Sequence, residues 1–354
     1  DMDFATAPFV TDAIRKRCEN EVLGYTGKPD SYYNAIINWV KQRYDLVVAK
    51  EMINFVPGIV PGIGMAMNCF TQKGDKVMIQ PPVYHPFAWV TTRNERTLVI
   101  NPLRWENGMY RMDLDAFREQ IKGCKLFILC NPHNPGGVVW TEAELRAIAD
   151  ICYDEKVLVF SDEIHADLTL PPHTHRPFAT VSEKARMNSV TFMSPSKAFN
   201  MPGLSASHAL IFNEDLRKRF RIYMDAGELD MGHVFAFLSV EAAYSHGTEW
   251  LDQCLAYIQG NIDFVDDFLK NHAPKIKAIR PEASYLVWLD CRELKLSQKD
   301  LNEFFVDKAH LALNDGEMFG KEGIGFMRLN VASPRCIIEK AMKQLADAYQ
   351  LYIK

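Results

Sequence analysis

The sequence predicts an α/β protein: a mostly parallel sheet sandwiched by helices, followed by a smaller α+β domain at the C-terminal end. Three observations lead there. Short apolar runs alternate with amphipathic stretches as far as about Trp250. The runs are bounded by Pro, Gly, Asn or Asp, as strands buried on both faces usually are. Beyond Trp250 the rhythm changes to one long helix and then sparser strands.

In chain order, Ser31 is expected to cap a helix running to about Val48. The strand candidates are Lys76–Gln80, Thr97–Asn101, Lys125–Cys130, Val157–Ser161, Ser189–Met193 and Ala209–Phe212, with helices between them. Thr141 followed by Glu144 reads as a capping box opening one of those helices. This β–α alternation is what builds a parallel sheet. The C-terminal part reads as a helix Leu251–Asn271, a strand Ser284–Asp290, a helix Ser297–Ala309, a strand Gly325–Val331 and a last helix from Pro334. The expected division is a large domain over 28–250 and a small one made of 1–27 plus 251–354.

Composition narrows the function. With 354 residues, 48% of them hydrophobic, the chain buries a large core, and two domains are expected. A formal net charge of -5 leaves no basic footprint for nucleic acid, so a small-molecule partner is expected. The eight cysteines are scattered, none in a C-x-x-C pair, and several lie in apolar runs; they read as reduced core thiols and give no zinc site. No apolar run approaches the ~20 residues of a membrane span. The opening Asp1-Met2-Asp3-Phe4 does not resemble a signal peptide, and a cytoplasmic location is expected. His165, His173 and His175 lack metal-ligand spacing, so no metal is expected.

Three polar clusters each follow a predicted strand: Asn131-Pro132-His133-Asn134-Pro135-Gly136-Gly137, Ser161-Asp162-Glu163-Ile164-His165, and Ser194-Pro195-Ser196-Lys197-Ala198-Phe199-Asn200. Ligands of open α/β sheets bind just outside the carboxyl ends of the strands, so the three clusters point at one crevice. A lysine just past a strand end, flanked by serines, suits carbonyl chemistry, which needs a positioned and partly neutral amine beside hydroxyls ready for an anion. Singly, each cluster is also what a turn, a strand end or an exposed loop lysine looks like. Their joint order is harder to explain that way.

Taken together, N-P-x-N-P-G, D-E-I-H and S-x-S-K-x-F-N resemble the class I/II aminotransferase superfamily of pyridoxal-phosphate enzymes (fold type I). The similarity is closest to the MalY/PatB-type branch of cystathionine β-lyases and C–S lyases. Asp1-Met2-Asp3-Phe4, Gly24-Tyr25-Thr26, Pro82-Val83-Tyr84-His85-Pro86-Phe87 and Arg328-Leu329-Asn330-Val331-Ala332 add to it. The resemblance implies a seven-stranded-type sheet and pyridoxal 5′-phosphate as cofactor. It implies that Lys197 binds the cofactor and moves protons, and that Asp162 pairs with the pyridine nitrogen. Asn134 would donate to the phenolic oxygen and Tyr84 would stack on the ring. Backbone N–H groups of Gly58, Ile59 and Val60 would hold the phosphate at a helix N-terminus, with the hydroxyls of Ser194 and Ser196. Tyr25 would reach the phosphate from the neighbouring subunit of a homodimer with shared active sites. Arg328 would grip the substrate α-carboxylate.

The implied reaction is elimination of a thiol from cystathionine or a related cysteine S-conjugate, leaving pyruvate and ammonia; transamination is the alternative. Many aminotransferases of the superfamily carry an arginine eight positions after the lysine and a tyrosine three after the aspartate. Here those positions hold Ser205 and His165, which resemble the lyase branch. Phe4 and nearby apolar residues are expected to suit a thioether side chain. Two readings from other classes meet obstacles. A non-catalytic amino-acid or cofactor-binding regulator has no need of both Lys197 and Asp162. A nicotinamide dehydrogenase needs G-x-G-x-x-G, which Gly58, Gly62 and Gly64 do not supply.

Overall fold

The computed structural model describes residues 1–352. In chain order the strands are β1 (Ile53–Val56), β2 (Lys76–Ile79), β3 (Thr97–Ile100), β4 (Arg104–Glu106), β5 (Met109–Arg111), β6 (Cys124–Cys130), β7 (Leu158–Asp162), β8 (Ser189–Met193) and β9 (Ser207–Leu210). They are followed by β10 (Lys277–Ile279), β11 (Leu286–Asp290), β12 (Asn314–Asp315) and β13 (Phe326–Asn330). Seven form the main sheet, in the order β1-β9-β8-β7-β6-β2-β3. β9 runs antiparallel to both its neighbours, and the other pairs are parallel. Strands β6 to β9 are buried almost throughout, which is why they read as continuous apolar runs.

The register decides where the chemistry lies. Cys130 at the end of β6 pairs with Asp162, and Asp162 pairs with Phe192 of β8. The turns after β6, β7 and β8 therefore leave the sheet along one edge. Val56, the last residue of β1, faces Ser207, the first of the reversed strand β9, so that edge continues to β1. Helix Ile59–Phe70 starts two residues after β1 and lies close against the sheet. A Cβ on Gly62 would stand only 2.9 Å from Val56 Cγ2 and 3.2 Å from Phe192, so the approach requires glycine.

The second sheet, β10-β11-β13-β12, is antiparallel throughout. Helices Thr248–His272 and Arg335–Tyr352 flank it, and one apolar cluster runs from Met2 through Trp39 and Tyr285 to Tyr349. No helix is long and apolar enough to cross a membrane among the described residues.

Several local expectations need correction. Ser31 does not cap its helix: the helix begins at Asp30 after Pro29, and the Ser31 hydroxyl donates to Glu241 at 2.7 Å. That helix ends at Tyr44, where Asp45 takes a left-handed conformation (φ 53), so it falls short of Val48. The expected helix Ser297–Ala309 is a short α-helix, Gln298–Glu303, capped by Ser297 and continued by a π turn over Phe304–Lys308. The Thr141 capping box is present, with both reciprocal bonds made.

Candidate active site

Gly58 sits at φ 135, a conformation open essentially to glycine alone, and opens helix Ile59–Phe70 with no side-chain cap. The first turn of a helix leaves its N–H groups without internal acceptors. Here Pro61 has no N–H to give, and Gly62 N–H already bonds the Gly58 carbonyl at 2.9 Å. The N–H groups of Gly58, Ile59 and Val60 have no acceptor among the described residues. They form a small positive cradle at the helix end.

A cavity of about 420 Å³ opens in front of that cradle. Of the residues expected at the site, Gly58, Ile59, Val60, Tyr84, Asn134, Asp162, Ser196, Lys197 and Arg328 all line it. Ser194 does not. Its hydroxyl contacts the Ala206 carbonyl at 2.8 Å and Ser196 Oγ at 2.9 Å, and it accepts the Ser196 N–H at 3.1 Å. It therefore fixes Ser196, and Ser196 faces the cavity. Tyr25 lies outside this chain's own cavity, 97% exposed, on a separate cleft with Leu23 and Met231–Phe235. Phe4 is turned against Tyr257, with ring centroids 5.5 Å apart; the apolar wall comes from Ile164, Tyr285 and Leu286 instead.

Asp162 is 3% exposed. Burial pushes its carboxyl up to about 7; the Ile164 N–H, donated to Oδ1 at 3.1 Å, works the other way. Its other oxygen bonds nothing among the described residues. Such a carboxylate ionises readily only when a cation faces it. On the opposite side Arg328 donates Nη1 to Asn134 Oδ1 at 2.9 Å and Nη2 to Asn314 Oδ1 at 2.8 Å. Its Nε is buried without a partner, and its hydrogen-bond partners among the described residues are the two amides alone, with no carboxylate. Burial lowers its pKa to about 10, so it stays charged at neutral pH. A half-buried guanidinium held by neutral amides is set to receive an anion. Asn134, by accepting from Arg328 with its oxygen, leaves its amide N–H groups free toward the cavity.

Lys197 Nζ donates to Asp1 Oδ1 at 2.9 Å. Burial and then the Arg328 charge draw its pKa down, and Asp162 opposes them. Tyr84 stands with its ring in the cavity, its phenol pushed up by burial and by Asp162. His165 lines the same space, with Nδ1 buried and unpartnered; burial, then Lys197 and Arg328, lower its pKa to about 3, so it stays neutral. Asp1, His85, His165, Ser205, Ser207, Asn314 and Asn330 are lining residues to which the motifs assign no role. His165 was the most accessible of them: it closes the D-E-I-H turn three residues after Asp162. A second cleft, about 480 Å³ along Tyr44–Val47 and Arg176–Arg186, gathers no comparable set.

These residues fit pyridoxal phosphate. The buried Asp162 carboxyl matches a cationic ring nitrogen, the cradle and Ser196 match a phosphate, and Tyr84 offers a ring face. An edge of sheet shaped this way, with its lysine after β8 and its acid at the end of β7, defines the class: a pyridoxal-phosphate site of fold type I.

Comparison with known proteins agrees. The family model for aminotransferase class I and II matches residues 1–345. Cystathionine β-lyase PatB of Bacillus subtilis is 37% identical over 350 residues, covering 98% of this chain and 90% of that protein. Protein MalY of Escherichia coli is 31% identical over 352 residues, with the same coverage of 98% and 90%. The crystal structure of cystalysin from Treponema denticola, which contains pyridoxal 5′-phosphate, superposes with a TM-score of 0.97 at 34% identity, covering 100% of this chain and 90% of that one. The chain belongs to the class I and II aminotransferase family, in its MalY/PatB-type branch. It is a pyridoxal-phosphate-dependent enzyme of the carbon–sulfur lyase kind.

Proposed function

We propose that the enzyme eliminates a thiol from L-cystathionine or a related cysteine S-conjugate, releasing pyruvate and ammonia. The observation that carries this reading is the charge distribution of the cavity. It holds one half-buried guanidinium without a carboxylate partner, Arg328, and no second arginine among its lining residues, while Ile164, Tyr285 and Leu286 leave an apolar wall. That combination suits an amino acid with a thioether side chain better than a second carboxylate.

In this reading Arg328 binds the α-carboxylate through its planar fork and so orients the α-C–H bond. Gly58, Ile59, Val60 and Ser196 would hold the phosphate, Asp162 would keep the ring nitrogen protonated, and Asn134 and Tyr84 would position the ring. Pyridoxal phosphate, when bound, supplies the sink for the electron pair left at the α-carbon. The Lys197 amine would take the α-proton, and the thiolate would then leave from the β-carbon. Water later releases ammonia and pyruvate, so cystathionine plus water balances to homocysteine, pyruvate and ammonia.

The same reading gives a homodimer in which Tyr25 completes the partner's phosphate site. Its support is an exposed apolar stretch: Val22 is 72%, Leu23 63% and Tyr25 97% exposed. Residues 28–250 then form the cofactor domain, and 1–27 with 251–354 form the domain carrying Arg328. The cysteines, all unpaired among the described residues, suit a cytoplasmic location.

Incubation with L-cystathionine, with and without a keto acid, tests the reaction. Equal amounts of pyruvate, ammonia and homocysteine, independent of the keto acid, are expected. A new amino acid formed only when a keto acid is supplied would establish transamination instead.

A further inference from the structure

The carboxylate that meets Lys197 comes from a segment fastened to the lysine's own loop. Asn200, three residues beyond Lys197, donates Nδ2 to the carbonyls of Met2 and Phe4 at 3.0 and 2.7 Å and accepts the Met2 N–H at 3.2 Å. The Thr6 hydroxyl donates to the Asn200 carbonyl at 2.7 Å. On the other side Asn330 Nδ2 donates to the Asp1 carbonyl at 2.6 Å, and the Asp3 N–H bonds the Ala332 carbonyl at 2.8 Å. Asp1 is thus held between the lysine loop and the strand that carries Arg328. Its side chain is 60% exposed against 26% for Lys197, which puts it at the mouth of the cavity.

We propose that Asp1 is a positioning residue for Lys197, its carboxylate holding the ε-ammonium at the cavity mouth whenever that nitrogen is not bonded to the cofactor. The inference rests on Lys197 being the cofactor lysine. Three other groups act on that nitrogen, Arg328 from β13, Asp162 from the end of β7 and His165 from the turn after it, and the Tyr84 phenol lines the same cavity. Arg328 repels an ammonium, and His165 and Tyr84 are neutral. Asp162 attracts it, but the ring nitrogen engages that carboxylate once the cofactor is in place. Asp1 is then the acid left to receive the lysine after it has been displaced by a substrate amine and has taken up the α-proton.

The test uses full-length protein stripped of cofactor, comparing wild type with Asp1→Asn and Asp1→Glu. The rate of covalent pyridoxal-phosphate uptake, followed by visible absorbance across pH, reports the fraction of Lys197 that is unprotonated. In Asp1→Asn the midpoint should move to lower pH by about one unit, a roughly tenfold change in proton affinity. Asp1→Glu should restore it. A merely altered cavity mouth changes the rate at every pH and leaves the midpoint alone. An unmoved midpoint in Asp1→Asn, or an equal shift in both variants, overturns the proposal. Covalent uptake that survives in Lys197→Ala would instead overturn the assignment of Lys197 itself.

Discussion

Two ionisable side chains in the cavity, Arg328 and Asp162, have no salt-bridge partner among the described residues, and each gives a measurable consequence. Arg328 has amide partners only, so Arg328→Ala removes the sole fixed cation for an α-carboxylate. Amino-acid binding should weaken by ~2–5 kcal/mol, seen as a raised KM or inhibitor Kd with much smaller loss of kcat; an unchanged KM speaks against the role. Asp162 gives a pH signature. Its folded-state pKa is raised from the usual 3.8 to about 7 by burial, so the folded cofactor-free protein keeps a proton that the unfolded chain has lost. Stability from this group is present below about pH 4 and is lost as pH rises through 7, by roughly 1–4 kcal/mol. Thermal unfolding of cofactor-free Asp162→Asn should lack that decline; a parallel pH profile in both proteins contradicts it. At this scale much of the site was legible, because Lys197, Asp162 and Asn134 sit in short motifs at strand ends. Asp1 and Asn330 were not assigned roles, because their part depends on a contact between residues at opposite ends of the chain.

At the scale of elements, the strands with long buried faces were readable to within a residue or two. β6 and β8 match their expected apolar runs, whereas β9 begins two residues before expected because Ser207 and His208 are buried polar residues. β1 gave no usable pattern: Ile53–Val56 is too short for a period to show, and it matters chiefly through the Gly58 turn and the helix beyond it. The β4–β5 hairpin is legible in principle from its Asn107-Gly108 turn, with both residues at positive φ (50 and 81). Gly58 makes the helix cradle possible, and Gly58→Ala forces a side chain into its glycine-only conformation, at a cost of ~1–3 kcal/mol. Cofactor affinity should fall about tenfold or more while the secondary structure is kept, by equilibrium titration and circular dichroism. His208 on β9 is fully buried, with neither ring nitrogen bonded among the described residues, and burial lowers its pKa to about 3. The folded state refuses a proton that the unfolded chain accepts below about pH 6.5, so stability is lost as pH falls. His208→Phe should therefore shift acid unfolding to lower pH.

At the scale of the whole molecule, the fold brings residues from both ends of the chain onto one sheet edge. Asp1, Arg328 and Asn330 line the cavity together with Cys130 and Asp162 at the ends of β6 and β7 and with Ser196 and Lys197 just after β8. The proposed homodimer carries one requirement that a single chain does not meet: Tyr25 would act at the partner's site. Mixing inactive Lys197→Ala with inactive Tyr25→Ala chains should then regenerate about a quarter of wild-type activity, since half the dimers are hybrids with one intact site. No recovery, with hybrids demonstrated by mass, would place Tyr25 outside the partner's site.

The central claim is that one amine, Lys197, both binds the cofactor and moves the proton that starts elimination. Its most direct measurement is pyruvate release from L-cystathionine by Lys197→Ala loaded with pyridoxal phosphate, beside wild type under the same conditions. Wild type should turn over and show the visible absorbance of lysine-bound cofactor, and the variant should show neither. Turnover by the variant at a rate comparable to wild type would contradict the account.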